Sequence, residues 1–115
     1  PTEQDAFAPL QVLYAEILAL RAVWALESKK SKPDQDIEVA LDVIRRVLTK
    51  NAHMPRAQAV KGMLRVLQGN QAPPGATRVD ALRDAKEAFE NAFRENPLLK
   101  QQFDRFAKDT AALRP

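Results

Sequence analysis

The stretch Ala85-Lys-Glu-Ala-Phe89-Glu-Asn-Ala92-Phe-Arg-Glu-Asn96-Pro97 decides how the rest of the chain is read. Leu82, Ala85, Ala88, Phe89, Ala92 and Phe93 recur at steps of three and four residues, the period of one helix face. Lys86, Glu90 and Arg94 run down the other side at i,i+4 spacing. Asn96-Pro97 closes that helix and supplies an N-cap and a first position for the next one. A shift of 45 residues (85 − 40) lays Ala40 on Ala85, Ile44 on Phe89, Val47 on Ala92, Leu48 on Phe93 and Asn51 on Asn96. The agreement, down to the terminal asparagine, exceeds what two unrelated amphipathic helices share, so the chain is read as an internal repeat.

Working outward, Pro, Gly and hydrophilic clusters break the chain at Ser28–Pro33, Asn51–Pro55, Gly69–Thr77 and Asn96–Pro97. The segments between them have helical rather than strand periodicity and predict five helices, at about 5–27, 34–50, 55–68, 79–95 and 97–113. In the first, Leu10, Leu13, Tyr14, Ile17, Leu18, Arg21, Trp24 and Ala25 form a broad stripe expected to face the core, with Pro9 in or before the first turn. The second has the face Ile37, Ala40, Leu41, Ile44, Val47 and Leu48, with Ser31 to Asp34 as its capping box. The third, carrying Ala59, Val60, Met63, Leu64, Val66 and Leu67, is apolar over more than half its circumference and should be sandwiched between neighbours. Thr77 to Asp80 is read as the capping box of the fourth, and the fifth packs through Leu98 or Leu99, Phe103, Phe106, Thr110 and Leu113.

Ala85-x-x-x-Phe89-x-x-Ala92…Asn96-Pro97 resembles the second helix and exit turn of a tetratricopeptide repeat, and Ala40-x-x-x-Ile44-x-x-Val47…Asn51-Ala52 a degenerate copy of it. Gly62 sits where that family places a small residue for close helix packing. The resemblance implies an all-α fold: a right-handed stack of two antiparallel helical hairpins plus a C-terminal capping helix, residues 1–115 forming one domain. It also implies a non-catalytic protein–protein interaction module. Residues 53–113 resemble, more loosely, the C-terminal repeat region that follows the catalytic domain in large bacterial serine/threonine kinases, which implies membership of a larger bacterial signalling protein. The period of 45 departs from the family's 34, and the aromatic residues usual in the first helix of a repeat are missing from the third helix.

With 115 residues, 45% hydrophobic and 29% charged, the composition suits one globular domain with a real core. The absence of cysteine excludes disulfide scaffolds, thiol catalysis and iron–sulfur ligation. Gln11, Glu16 and Arg21 interrupt Leu10–Leu26, so no membrane span is expected, and the opening Pro-Thr-Glu-Gln-Asp has no basic segment of a signal peptide; the expected location is cytoplasmic. His53 is the single imidazole and has no nucleophile or acid at a recognisable spacing, which suits a structural role. Asp34/Asp36 and Asp80/Asp84 sit in first turns, where acids complement the helix dipole, rather than at metal-ligand spacings. No phosphate-loop, dinucleotide, zinc-protease or EF-hand pattern occurs, so the expectation is no enzyme, no cofactor and no metal.

The net charge of +3 is concentrated: residues 43–79 hold no acid but contain Arg45, Arg46, Lys50, Arg56, Lys61, Arg65 and Arg78. Two readings follow. In the first, the first helices of the hairpins line a groove where Arg56, Lys61 and Arg65 meet an acidic peptide or protein, while Ala59 and Met63 add apolar contact. In the second, the basic run binds nucleic acid or an anionic surface, although no stacking aromatics interleave it. A helical bundle that only dimerises is a third possibility. Tyr14 and Trp24, ten residues apart on the first helix, are either core or an exposed binding stripe, and core packing is expected.

Overall fold

The computed structural model describes residues 3–29 and 33–111, with side chains from Phe7 onward. Among the described residues there is no strand, and five α-helices follow one another: α1 (Glu3–Ser28), α2 (Asp34–Lys50), α3 (Pro55–Gln71), α4 (Ala76–Glu95) and α5 (Leu99–Ala107), the last running into a 3-10 turn at Lys108–Thr110. The expected capping residue Ser31 and the expected core residue Leu113 lie outside the described residues.

α1 packs chiefly on α2 and α3 chiefly on α4, while α2 and α1 both lie against α3, and α5 closes over α3 and α4. α3 is therefore the central element. Its residues Ala57, Ala59, Val60, Gly62, Met63, Leu64, Val66, Leu67 and Gly69 are all buried, as a helix apolar nearly all round requires. α2 and α4 each bury a single face, Ile37, Ala40, Leu41, Ile44 and Val47 in one and Ala81, Ala85, Ala88, Phe89 and Ala92 in the other. Phe89 stacks on Phe93 with ring centroids 5.5 Å apart and lies 6.4 Å from Phe103, which ties α5 into the same core.

The two exit turns match. Asn51 ends α2 at φ −141°, ψ 86°, and Asn96 ends α4 at φ −145°, ψ 90°. Asn51 donates its N–H to Val47 O and Asn96 donates to Ala92 O, both at 2.9 Å. Each asparagine carbonyl then accepts an N–H three residues on, from Met54 and Leu99 respectively. The side chain of Asn96 also accepts from Leu98 N–H at 3.2 Å, but α5 starts at Leu99 with Leu98 at its N-cap, so Asn96 and Pro97 precede the helix instead of capping and opening it as expected.

Four further features differ from the sequence expectations. α3 does not stop at Gly69 but runs through it to Gln71, and the glycine makes room for Leu82 of α4, which would lie 2.9 Å from a β-carbon there. The connection is accordingly four residues, Ala72–Gly75, and α4 begins at Ala76, so Thr77 and Asp80 lie inside the helix rather than capping it. Gly75 takes φ 146°, which a side-chain-bearing residue would adopt only with strain. Pro9 falls within α1, not in its first turn.

The fourth correction concerns the faces of α1. Val12, Ala15, Leu18, Ala19, Ala22, Val23 and Ala25 form the buried face, and the larger Leu10, Leu13, Tyr14, Ile17 and Trp24 point outward. Both sides of this helix are apolar, and the alanine side wins the core because it lets α1 come close to its neighbours. For the same reason Phe7–Ser28, contrary to the sequence expectation, is long and apolar enough to cross a membrane by length and composition.

Candidate interaction surfaces

The five residues expected to hold a partner all lie on α3, and the helix separates them. Nine residues part Arg56 from Arg65, which at about 100° per residue is half a revolution, so the two guanidiniums leave opposite sides. Ala59 and Met63, expected to offer apolar contact, are fully enclosed. Lys61 and Arg65 face α4, where both reach Asp84, at 3.5 Å and 2.8 Å, and Arg65 also donates to Gln68 at 2.6 Å. The structure brings the five into one helix but not onto one exposed surface.

Arg56 points the other way, into the face made by α1, α3 and α5. Its Nε and Nη2 donate to the two carboxylate oxygens of Glu16 on α1 at 2.8 and 2.9 Å. Nη1 donates to Gln102 on α5 at 3.0 Å, and the guanidinium lies 5.6 Å from the ring centroid of Phe103. One side chain thus joins three helices while remaining 41% exposed. Further along the same face Arg105 of α5 pairs with Glu27 of α1.

Four of the seven cations of the acid-free run meet acids from outside it. Glu16 takes Arg56, Asp84 takes Lys61 and Arg65, and Asp42, just before the run, takes Arg46. Arg78 is spent on the end of α3, where its Nε donates to Gly69 O at 3.1 Å and Ala72 O at 2.9 Å. Arg45, Lys50 and Arg78 are the members of the run without a carboxylate among the described residues, and of these Arg45 and Lys50 are exposed on α2.

Of the paired aspartates, Asp36 and Asp84 are committed to ion pairs. Arg21 grips Asp36 through two hydrogen bonds of 2.7 and 2.6 Å, and these hold the Asp36 carboxyl below its ordinary value against a smaller opposing effect of burial. The same contact raises Arg21. Asp34 and Asp80 line a cleft of about 520 Å³ between the starts of α2 and α4, with Glu38 and Arg65 in its walls. His53 is exposed in the turn before α3, beside a smaller cleft that also contains Asn91, Arg94 and Glu95.

The surface that the sequence reading assigned to the core is the outer face of α1. Phe7, Leu10, Leu13, Tyr14, Ile17, Leu20 and Trp24 are each at least half exposed, Leu10 most of all at 60%. Arg21 is the one charge among them, and Asp36 neutralises it. The signal for this stripe was present in the residues: Ala15, Ala19 and Ala22 at helical spacing mark a second, small-residue face on the opposite side.

Comparison of the chain with protein-family models, with curated proteins and with solved structures finds no match.

Proposed function

We propose that the chain is a non-catalytic protein–protein interaction module, a tetratricopeptide-like right-handed stack of two hairpins and a capping helix within a larger bacterial signalling protein. The observation that carries this reading is the recurrence, 45 residues apart (96 − 51), of a buried alanine, a buried plug and an asparagine exit turn with the same backbone angles. The packing order supports it too: each hairpin closes on itself, and α2 of the first meets α3 of the second. In a stack of this kind the first helix of each hairpin and the capping helix share one face, here α1, α3 and α5.

Arg56 and Arg105 are the residues of that face with both exposure and an exchangeable partner, and Arg56 is the one at which α1, α3 and α5 meet. A carboxylate on an incoming segment competes with Glu16 for the same bidentate geometry, so an acidic peptide or protein is the partner class. Four of the seven basic residues are engaged by carboxylates, which reduces the unpaired cations that a phosphate-driven interface needs.

Capture from the native lysate, with and without nuclease, tests the reading. Binding should survive nuclease, fall at least roughly tenfold in Arg56→Glu, as loss of a charge pair at an interface implies, and persist in Arg45→Glu/Lys50→Glu. Nuclease-sensitive capture that is lost in Arg45→Glu/Lys50→Glu and retained in Arg56→Glu would establish nucleic-acid binding instead.

A further inference from the structure

A second surface, on the far side of α1 from the core, asks for an occupant of its own. The outward stripe runs from Phe7 to Trp24, about 26 Å at the helical rise. Its seven large residues expose about 800 Å² per copy, the share each partner gives to a standard-size interface. That exceeds the apolar patch of about 300–600 Å² usual on a monomer. We propose that this stripe is a two-fold dimer interface, covered by α1 of a second copy of the chain. The inference does not depend on the Arg56 face or on the tetratricopeptide-like reading.

Three observations point to a second copy. First, the stripe has no apolar counterpart elsewhere among the described residues. Beyond it, the large exposed apolar side chains are Val39, Val79 and Leu98, one each on α2, on α4 and in the turn before α5. A head-to-tail contact therefore has nothing to receive the stripe, whereas a two-fold contact requires only the stripe itself.

Second, the stripe is self-complementary in an antiparallel pairing. With the axis near its midpoint, Phe7 faces the Trp24 of the second copy and Tyr14 faces Ile17, so aromatic bulk lies at both ends and aliphatic packing at the centre.

Third, the charge pattern disfavours a bilayer as occupant. Helices that lie in a membrane surface carry lysines and arginines beside the apolar face. Within α1 the one cation is Arg21, held by Asp36, while its acids Glu16 and Glu27 are met by Arg56 and Arg105 from α3 and α5. In the same register Arg21 faces Leu10 of the second copy, so the dimer carries this charge into the contact together with its partner Asp36.

Sedimentation equilibrium of the full chain over a wide concentration range, with and without phosphatidylcholine vesicles, tests the proposal. The chain should sediment at twice its monomer mass, and Leu13→Glu/Ile17→Glu should weaken the dimer by roughly a hundredfold or more with helical circular dichroism retained, since both positions are exposed. Because the chain has no cysteine, Ile17→Cys supplies a unique thiol that a short bis-maleimide should join between copies, while Arg83→Cys on the outside of α4 should not cross-link. The cross-linking stands if the double glutamate variant fails to fold. A chain that stays monomeric at its solubility limit overturns the proposal. So does a dimer indifferent to Leu13→Glu/Ile17→Glu, or a monomer that pellets with the vesicles.

Discussion

Gly62 of α3 lies so close to Phe89 of α4 that a β-carbon on the glycine would stand 2.8 Å from the ring. The ring has no room to withdraw, because Phe93 stacks on one side and Phe103 closes another. The pair sets how near the two helices of the second hairpin come.

Gly62→Ala should therefore lower stability by about 1–3 kcal/mol despite the helix propensity that alanine adds. Gly69→Ala, whose β-carbon would meet Leu82 at 2.9 Å, should cost less, because Leu82 is partly exposed and can turn aside. Urea denaturation of both variants checks the order. Equal losses would mean that the ring at Phe89 yields as readily as the leucine.

Phe89→Ala should cost about 3–5 kcal/mol and Ile44→Ala about 2–5 kcal/mol by cavity formation. Both side chains are enclosed at repeat-equivalent places. A loss below about 1 kcal/mol in either, read from the denaturation midpoint at constant slope, would show that the two plugs are not equivalent.

Arg78→Ala should destabilise by about 1–3 kcal/mol, the range for hydrogen bonds to a charged group. The guanidinium donates to carbonyls at the end of α3 and in the connection: to Ala72 O, and to Gly69 O, which also accepts the Ala72 N–H. Deleting 71–75 should be damaging for the same reason, since it removes the end of α3 along with the connection. Thermal melts of both variants provide the measurement.

The Arg21–Asp36 pair makes an acid-side prediction. Its hydrogen bonds lower the Asp36 pKa in the folded state, so its stabilisation is present above the unfolded carboxylate value of about 3.9 and is lost as pH falls through the lower folded value. The melting temperatures of the wild type and Asp36→Asn should differ at neutral pH and converge in strong acid. A difference that holds constant to the lowest accessible pH would show that the ion pair contributes nothing.

The helices themselves were legible because α2 and α4 each have one apolar face, and the central place of α3 because it has apolar residues all round. α1 misled. Periodicity weighs Leu10, Ile17 and Trp24 above Ala15, Ala19 and Ala22, while helix packing rewards the face that permits close approach. Gly69 reads as a stop signal from its neighbours, yet the demand for a glycine comes from Leu82, thirteen residues away (82 − 69). The basic run likewise looked uncompensated because Glu16 and Asp84 lie outside it in sequence and against it in space. Local composition records charge but not the helix that folds back upon it.

The matched asparagine turns have a consequence for how such a chain can grow. Because the backbone leaves α2 and α4 with the same asparagine dihedral angles and the same two hydrogen bonds, the block between the turns, residues 52–96, begins and ends on the same joint. A tandem duplication of that block would start its new hairpin along the direction already taken by α3 and hand the chain on to α5 unchanged. The molecule can thus lengthen by whole units without redesign of its joints, and an insertion that is not a whole unit would turn every later helix out of line.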